Sequence, residues 1–212
     1  MALYGENYTK YQLDRSLPRR LVRQLYLGSA ARQLRGPTVD FGCGVGDLLR
    51  QLPAGSVGLE VNPVSVDYCR ARGLDARLYD GDADQWNLEL LGSTMGLQSL
   101  VVSHVLEHLD QPMEKLSRLL RAGERLGIER ALVIVPGPRG YESDDTHRTF
   151  VDLPMLSSAA ATAGTGFALA EAHYFPGDLR IIGQWFPHHE LQVSYHRVCP
   201  QRAALSDGPA TP

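Results

Sequence analysis

The chain has 212 residues, 43% of them hydrophobic and 21% charged, with a formal net charge of −3. This length suits one well-buried domain and is short for two, and the charge balance argues against a general nucleic-acid binder. Cys43, Cys69 and Cys199 have an odd count and no C-x-x-C spacing, which argues against a disulfide framework or structural zinc and for a reducing, cytoplasmic setting.

Leu17, Leu21, Val22, Leu25 and Leu34 recur at near-helical spacing, with Arg19, Arg20, Arg23, Arg32 and Arg35 available for the opposite face. Residues 1–36 carry seven basic residues against Glu6 and Asp14, so the front of the chain is basic and the remainder acidic. We read residues 1–36 as a lid and amphipathic helix segment. Tyr4, Tyr8 and Tyr11 either form a lid over a bound ligand or cover the sheet edge, and the basic helix face either recruits an anionic small molecule or is a solvated surface. No aromatic-basic stripe of the single-strand-binding kind is visible, which argues against a large nucleic acid as partner. No stretch approaches the roughly 20 apolar residues that span a bilayer.

At Thr38 an apolar run leads into Val39-Asp40-Phe41-Gly42-Cys43-Gly44-Val45-Gly46 and then Asp47-Leu48-Leu49-Arg50, the pattern of strand, glycine turn and helix. Glycines there permit positive φ and remove the Cβ atoms that would hold a ligand off the backbone. The pattern is half of the dinucleotide fingerprint, but its sixth position is Asp47, where a small residue is needed. Asp40 would repel a pyrophosphate and attract an ammonium group. Glu60, followed by Val61, closes the next apolar run eighteen positions after Gly42, near the offset at which an acid meets a ribose diol.

Further short apolar runs alternate with helical patterns. Strands are expected at 38–41, 57–60, 76–79, 97–103 and 131–135, and helices at 46–52, 63–72, 85–92 and 112–126. Such alternation gives an α/β fold: a doubly wound, mostly parallel sheet with helices on both faces. Residues 154–163 read as a helix between Pro154 and Gly164, and 169–175 and 190–198 as two last strands. Residues 201–212 read as a disordered tail.

Two acidic or histidine-rich stretches remain. Asp80-Gly81-Asp82-Ala83-Asp84 follows the third strand, and Ser103-His104-Val105-Leu106-Glu107-His108-Leu109 follows the fourth. His104-x-x-Glu107-His108 matches an inverted zinc-peptidase motif. It begins at a strand end rather than within a helix, however, so the expectation is no metal ligand.

In this order, D-x-G-x-G-x-G, the second-strand acid, G-D-A and S-x-V-L-E-H-L resemble motifs of the class I S-adenosylmethionine-dependent methyltransferases, over about residues 38–136. The resemblance implies a seven-stranded Rossmann-like sheet in the order 3-2-1-4-5-7-6, with a methyltransferase domain over 37–200. It implies S-adenosylmethionine as cofactor, bound by Asp40, Gly42, Cys43, Gly44, Gly46, Glu60, Val61, Asp82, Ala83 and Ser103, with Asp84 competing for the adenine role. The acceptor would be a small molecule, and His104 or His147 the base wherever a proton must leave. Two rivals stand beside it: an NAD(P)-dependent oxidoreductase, and a non-catalytic S-adenosylmethionine-binding protein.

Overall fold

The computed structural model describes residues 26–92, 95–177 and 189–198. The expected lid tyrosines, most of the basic helix face and the expected tail lie outside these residues.

The strands are β1 (Thr38–Phe41), β2 (Val57–Glu60), β3 (Ala76–Leu78), β4 (Ser99–Ser103), β5 (Arg130–Pro136), β6 (Phe167–Phe175) and β7 (Glu190–Arg197). They form one sheet in the order β3-β2-β1-β4-β5-β7-β6. The first five strands pair in parallel, and β7 runs antiparallel to both β5 and β6. The expected topology is therefore present, including the closing hairpin.

Both faces of the central strands are apolar, which is why the parallel strands read as near-continuous hydrophobic runs. Successive side chains point to opposite faces. Leu100, Val102, Val133 and Val135 join a large cluster with Leu116, Leu119 and Leu120 of helix Pro112–Arg125. Val101, Leu132 and Ile134 meet Tyr26, Leu27 and Ala30 of the helical residues 26–33. On this second face, Val66 and Cys69 of helix Pro63–Arg70 pack with Cys43 and Ala76. We number these helices α1 (26–33), α2 (Pro63–Arg70) and α3 (Pro112–Arg125). The result is three layers, with α3 on one face and α1 and α2 on the other.

Three expected helices differ. Residues 46–52 form turns and a single 3-10 turn at Leu49–Gln51. Residues 85–92 are irregular, with positive φ at Gln85, Trp86 and Leu88. The helix expected over 154–163 is split into Leu153–Leu156 and Ala159–Thr162. At the break the hydroxyls of Ser157 and Ser158 bond back to the carbonyls of Pro154 and Met155, the competition with helix bonding that serine offers.

Candidate active site

The parallel strands all end at one edge, and ligands of open α/β sheets bind there. A cavity of about 290 Å³ opens at this edge, between the turns after β1, β2, β3 and β4. Phe41, Tyr79 and Trp86 line it as an aromatic group, with ring centroids 5.5 Å apart for Phe41–Trp86 and 5.7 Å for Phe41–Tyr79.

The turn after β1 is shaped by packing. Gly42, Gly44 and Gly46 have φ of 74, 54 and 75°. A Cβ on Gly42 would lie 2.4 Å from Val105 Cγ2, and one on Gly46 would lie 2.6 Å from Leu74 Cδ1. Four of its amide groups are already committed: Gly42 and Cys43 donate to the Leu59 carbonyl, Gly46 to that of Cys43, and Gly44 to Glu60 Oε2 at 2.8 Å. A phosphate cradle needs free N–H groups, and only a 3-10 turn follows. Both features disfavour a dinucleotide.

Glu60 ties two turns together, its Oε1 accepting from the Asn62 N–H at 2.9 Å while Oε2 holds Gly44. It is 9% exposed and lines the cavity. Burial raises its pKa, and the backbone N–H groups of Asn62, Gly44 and Val61 offset part of that rise. Asp40 is buried at the end of β1. The Cys43 thiol is pushed up by its hydrogen bond with Cys69, by burial and by the nearby Asp40 and Glu60 carboxylates, so it is no nucleophile.

The two candidate acids after β3 have separate jobs. Asp84 Oδ2 accepts from the Tyr79 hydroxyl and from the Glu89 N–H, and the Tyr79 oxygen in turn accepts from the Leu88 N–H. Asp82 borders the cavity, accepting from Trp86 Nε1 at 3.1 Å and facing Lys115 Nζ at 3.5 Å. Gly42, Glu60, Val61, Asp82 and His104 thus line the cavity. Asp40, Cys43, Gly44, Gly46, Ala83, Ser103 and His147 do not contribute to its wall. Phe41 and Tyr79 were absent from the expected site; their aromatic character at the ends of the first and third apolar runs was the available signal.

His104 is held between two acids. Its Nε2 lies 3.0 Å from Glu190 Oε1 and its Nδ1 3.2 Å from Glu107 Oε1, the latter at ion-pair range without hydrogen-bond alignment. Burial pulls its pKa down, but the side chain is 31% exposed, and the Glu190 and Glu107 carboxylates outweigh that pull and raise it to about 10. At neutral pH His104 is an imidazolium and a poor proton acceptor.

His147 lies behind the cavity wall. Its Nδ1 is 2.6 Å from the Tyr141 carbonyl, its ring stacks on Tyr141, and its Nε2 is 4.0 Å from Glu107 Oε1. His108, on the cavity wall, has its Nδ1 3.1 Å from Thr146 Oγ1. Burial lowers the pKa of His108. The Arg148 and Thr149 N–H groups donate to the Glu107 carbonyl, which fastens this loop to the turn after β4.

The chain is similar to several known proteins. Residues 33–134 match the family described as methionine biosynthesis protein MetW. A protein of Parasynechococcus marenigrum named as an uncharacterized RNA methyltransferase is 32% identical over 155 residues, covering 70% of this chain and 30% of that protein's length. Among solved structures, a SAM-dependent methyltransferase from Archaeoglobus fulgidus superposes with a TM-score of 0.64 at 17% identity, over 91% of this chain and 100% of that one. Magnesium protoporphyrin IX methyltransferase from Synechocystis, with bound SAH, gives 0.59 at 15% identity, over 84% and 85%. By sheet order and these likenesses, the chain shares the fold of these solved S-adenosylmethionine-dependent methyltransferases.

Proposed function

We propose that the protein transfers a methyl group from S-adenosylmethionine to a small-molecule acceptor. The observation that carries this reading is Glu60, a nearly buried carboxylate at the β2 tip, bonded to the glycine turn and bordering an aromatic-lined cavity. Two hydroxyl donors suit such a carboxylate. Glu60 would take the ribose diol beside Val61. Trp86 and Asp82-Ala83 would take the adenine, Asp84 being occupied by Tyr79. Asp40 and the turn holding Gly42, Cys43, Gly44 and Gly46 would hold the ammonium end, the Asp40 carboxylate supplying the attraction. Ser103 would support this arrangement from the β4 tip.

The donor supplies a methyl group already activated on a sulfonium. The protein's residues therefore need mainly to align the acceptor with it and exclude water. His104 acts here as a fixed cation between Glu107 and Glu190 rather than as a base. His147 keeps an oriented ring nitrogen in the acceptor half.

A second reading, transfer to RNA, rests on the printed name of the relative from Parasynechococcus marenigrum. The described rim favours the small acceptor, since Lys115 faces Asp82 and Arg148 Nη1 is 2.8 Å from Asp110. Both cations are thus already matched by acids. Labelled-methyl transfer into a small-molecule extract and, in parallel, into total RNA tests the assignment. Label in a low-mass product supports it; label confined to RNA selects the second reading.

A further inference from the structure

Glu107 is fully buried, and neither of its carboxylate oxygens makes a hydrogen bond. A carboxylate in that state is costly unless a charge compensates it. His104 lies on one side, 3.2 Å from Glu107, but it is shared with Glu190, so one imidazolium faces two carboxylates. On the other side are His108 and His147, and one potential ligand atom from each of Glu107, His108 and His147 lies within 4.8 Å of the other two.

The hydrogen bonds at Nδ1 fix the tautomers of both rings. Thr146 Oγ1 donates to Asp144 Oδ1 at 2.6 Å, so its lone pair faces His108 Nδ1 and the proton of that ring sits on Nδ1. The Tyr141 carbonyl likewise fixes the His147 proton on Nδ1. Both rings then carry the Nε2 lone pair, with the outer nitrogen engaged by a hydroxyl backed by a carboxylate or by a carbonyl, the usual support for a ligating histidine. The rings tilt against each other at a 4.7 Å centroid distance.

We infer that Glu107, His108 and His147 form a binding site for one first-row divalent cation on the acceptor side of the cavity. Two histidines and one carboxylate leave coordination positions open. Bond lengths of ~2.1 Å require the three atoms to close from their present spread to ~3–3.5 Å apart, a movement within reach of side-chain rotation. His108 lies on the cavity wall, so the open positions face the acceptor, and the class they select is one offering carboxylate or hydroxyl oxygens. That acceptor role rests on the methyltransfer reading; the cation site itself does not. The zinc-peptidase motif would have paired His104 with His108, whereas here His104 turns to Glu190 and the second histidine comes from position 147.

The test is titration of chelator-treated full-length protein with Co²⁺, read by visible absorption and by metal content, with S-adenosylhomocysteine affinity measured on the same samples. One Co²⁺ per chain is expected, with affinity falling at least ~100-fold in His147→Ala and ~10- to 100-fold in Thr146→Val, which removes only the outer support. S-adenosylhomocysteine affinity of His147→Ala should stay near that of the parent and its thermal unfolding should remain cooperative, which excludes misfolding as the cause. Absence of stoichiometric Co²⁺, equal binding by His147→Ala, or loss in His104→Gln with retention in His147→Ala overturns the site. If Co²⁺ binds and S-adenosylhomocysteine does not, the site stands and the donor reading falls.

Discussion

Glu60 offers the sharpest perturbation of the donor half. It accepts backbone N–H bonds from Gly44 at 2.8 Å and Asn62 at 2.9 Å, with the Val61 N–H alongside, and the ribose diol would use the acceptor capacity that remains. Loss of this charge-assisted diol contact is expected to cost about 1.5–3 kcal/mol in all. Glu60→Ala should therefore weaken S-adenosylhomocysteine binding about 10- to 150-fold. The conservative Glu60→Gln retains one acceptor oxygen and should fall between the variant and the parent. The pH dependence separates a bound diol from a merely structural role. Because burial raises the Glu60 pKa, the free protein begins to protonate this carboxylate above the usual carboxylate range, and diol donation favours the ionised form. Donor affinity should thus rise with pH through the Glu60 titration and be flat over that window in Glu60→Gln. For folding the sign is opposite: a raised acid pKa favours the folded state below its unfolded value, and that contribution is lost as pH rises through the folded pKa. Isothermal titration calorimetry between pH 5 and 8 is the assay. Unchanged affinity in Glu60→Gln, or a pH slope that survives in it, would refute the diol assignment.

Other perturbations test the packing around the site. Gly42→Ala places a Cβ 2.4 Å from Val105 Cγ2 at a φ of 74°; overpacking and left-handed strain together cost ~2–5 kcal/mol, a melting-temperature loss that Val105→Ala should partly restore. Asp84→Ala strands the Tyr79 hydroxyl and the Glu89 N–H and should destabilise by about 1–3 kcal/mol, as read by urea unfolding. Asp82→Ala, with its side chain 75% exposed, should change stability by less than ~0.5 kcal/mol yet weaken donor binding.

The sheet was legible because each strand is a short apolar run bounded by turn residues, and because β1 to β5 alternate with connections that force parallel pairing. The helices after β1 and β3 were misread for local reasons that periodicity does not carry. Gly46 packs on Leu74 and Cys69, and the Asp80 carboxylate accepts the Asp82 and Ala83 N–H groups, so the chain turns instead of winding. Within the site, Glu60 was legible from its offset to Gly42. The separate surroundings of Asp82 and Asp84 were not, because they depend on the Tyr79 hydroxyl, which bonds to Asp84. Nor was the state of His104 visible: Glu190 reaches it from β7, across 86 positions. His147 meets Glu107 only because the backbone of residues 148–149 bonds to the turn after β4.

The central claim is that the cavity at the ends of β1, β2 and β3 is built for an adenosyl sulfonium rather than a diphosphate. A crystal structure of the protein with S-adenosylhomocysteine tests it most directly. The account predicts the ribose hydroxyls on Glu60, the base beside Trp86 and Asp82, and the amino end near Asp40. Density for the nucleoside at any other place, or NAD(P) displacing it across the glycine turn, would contradict it.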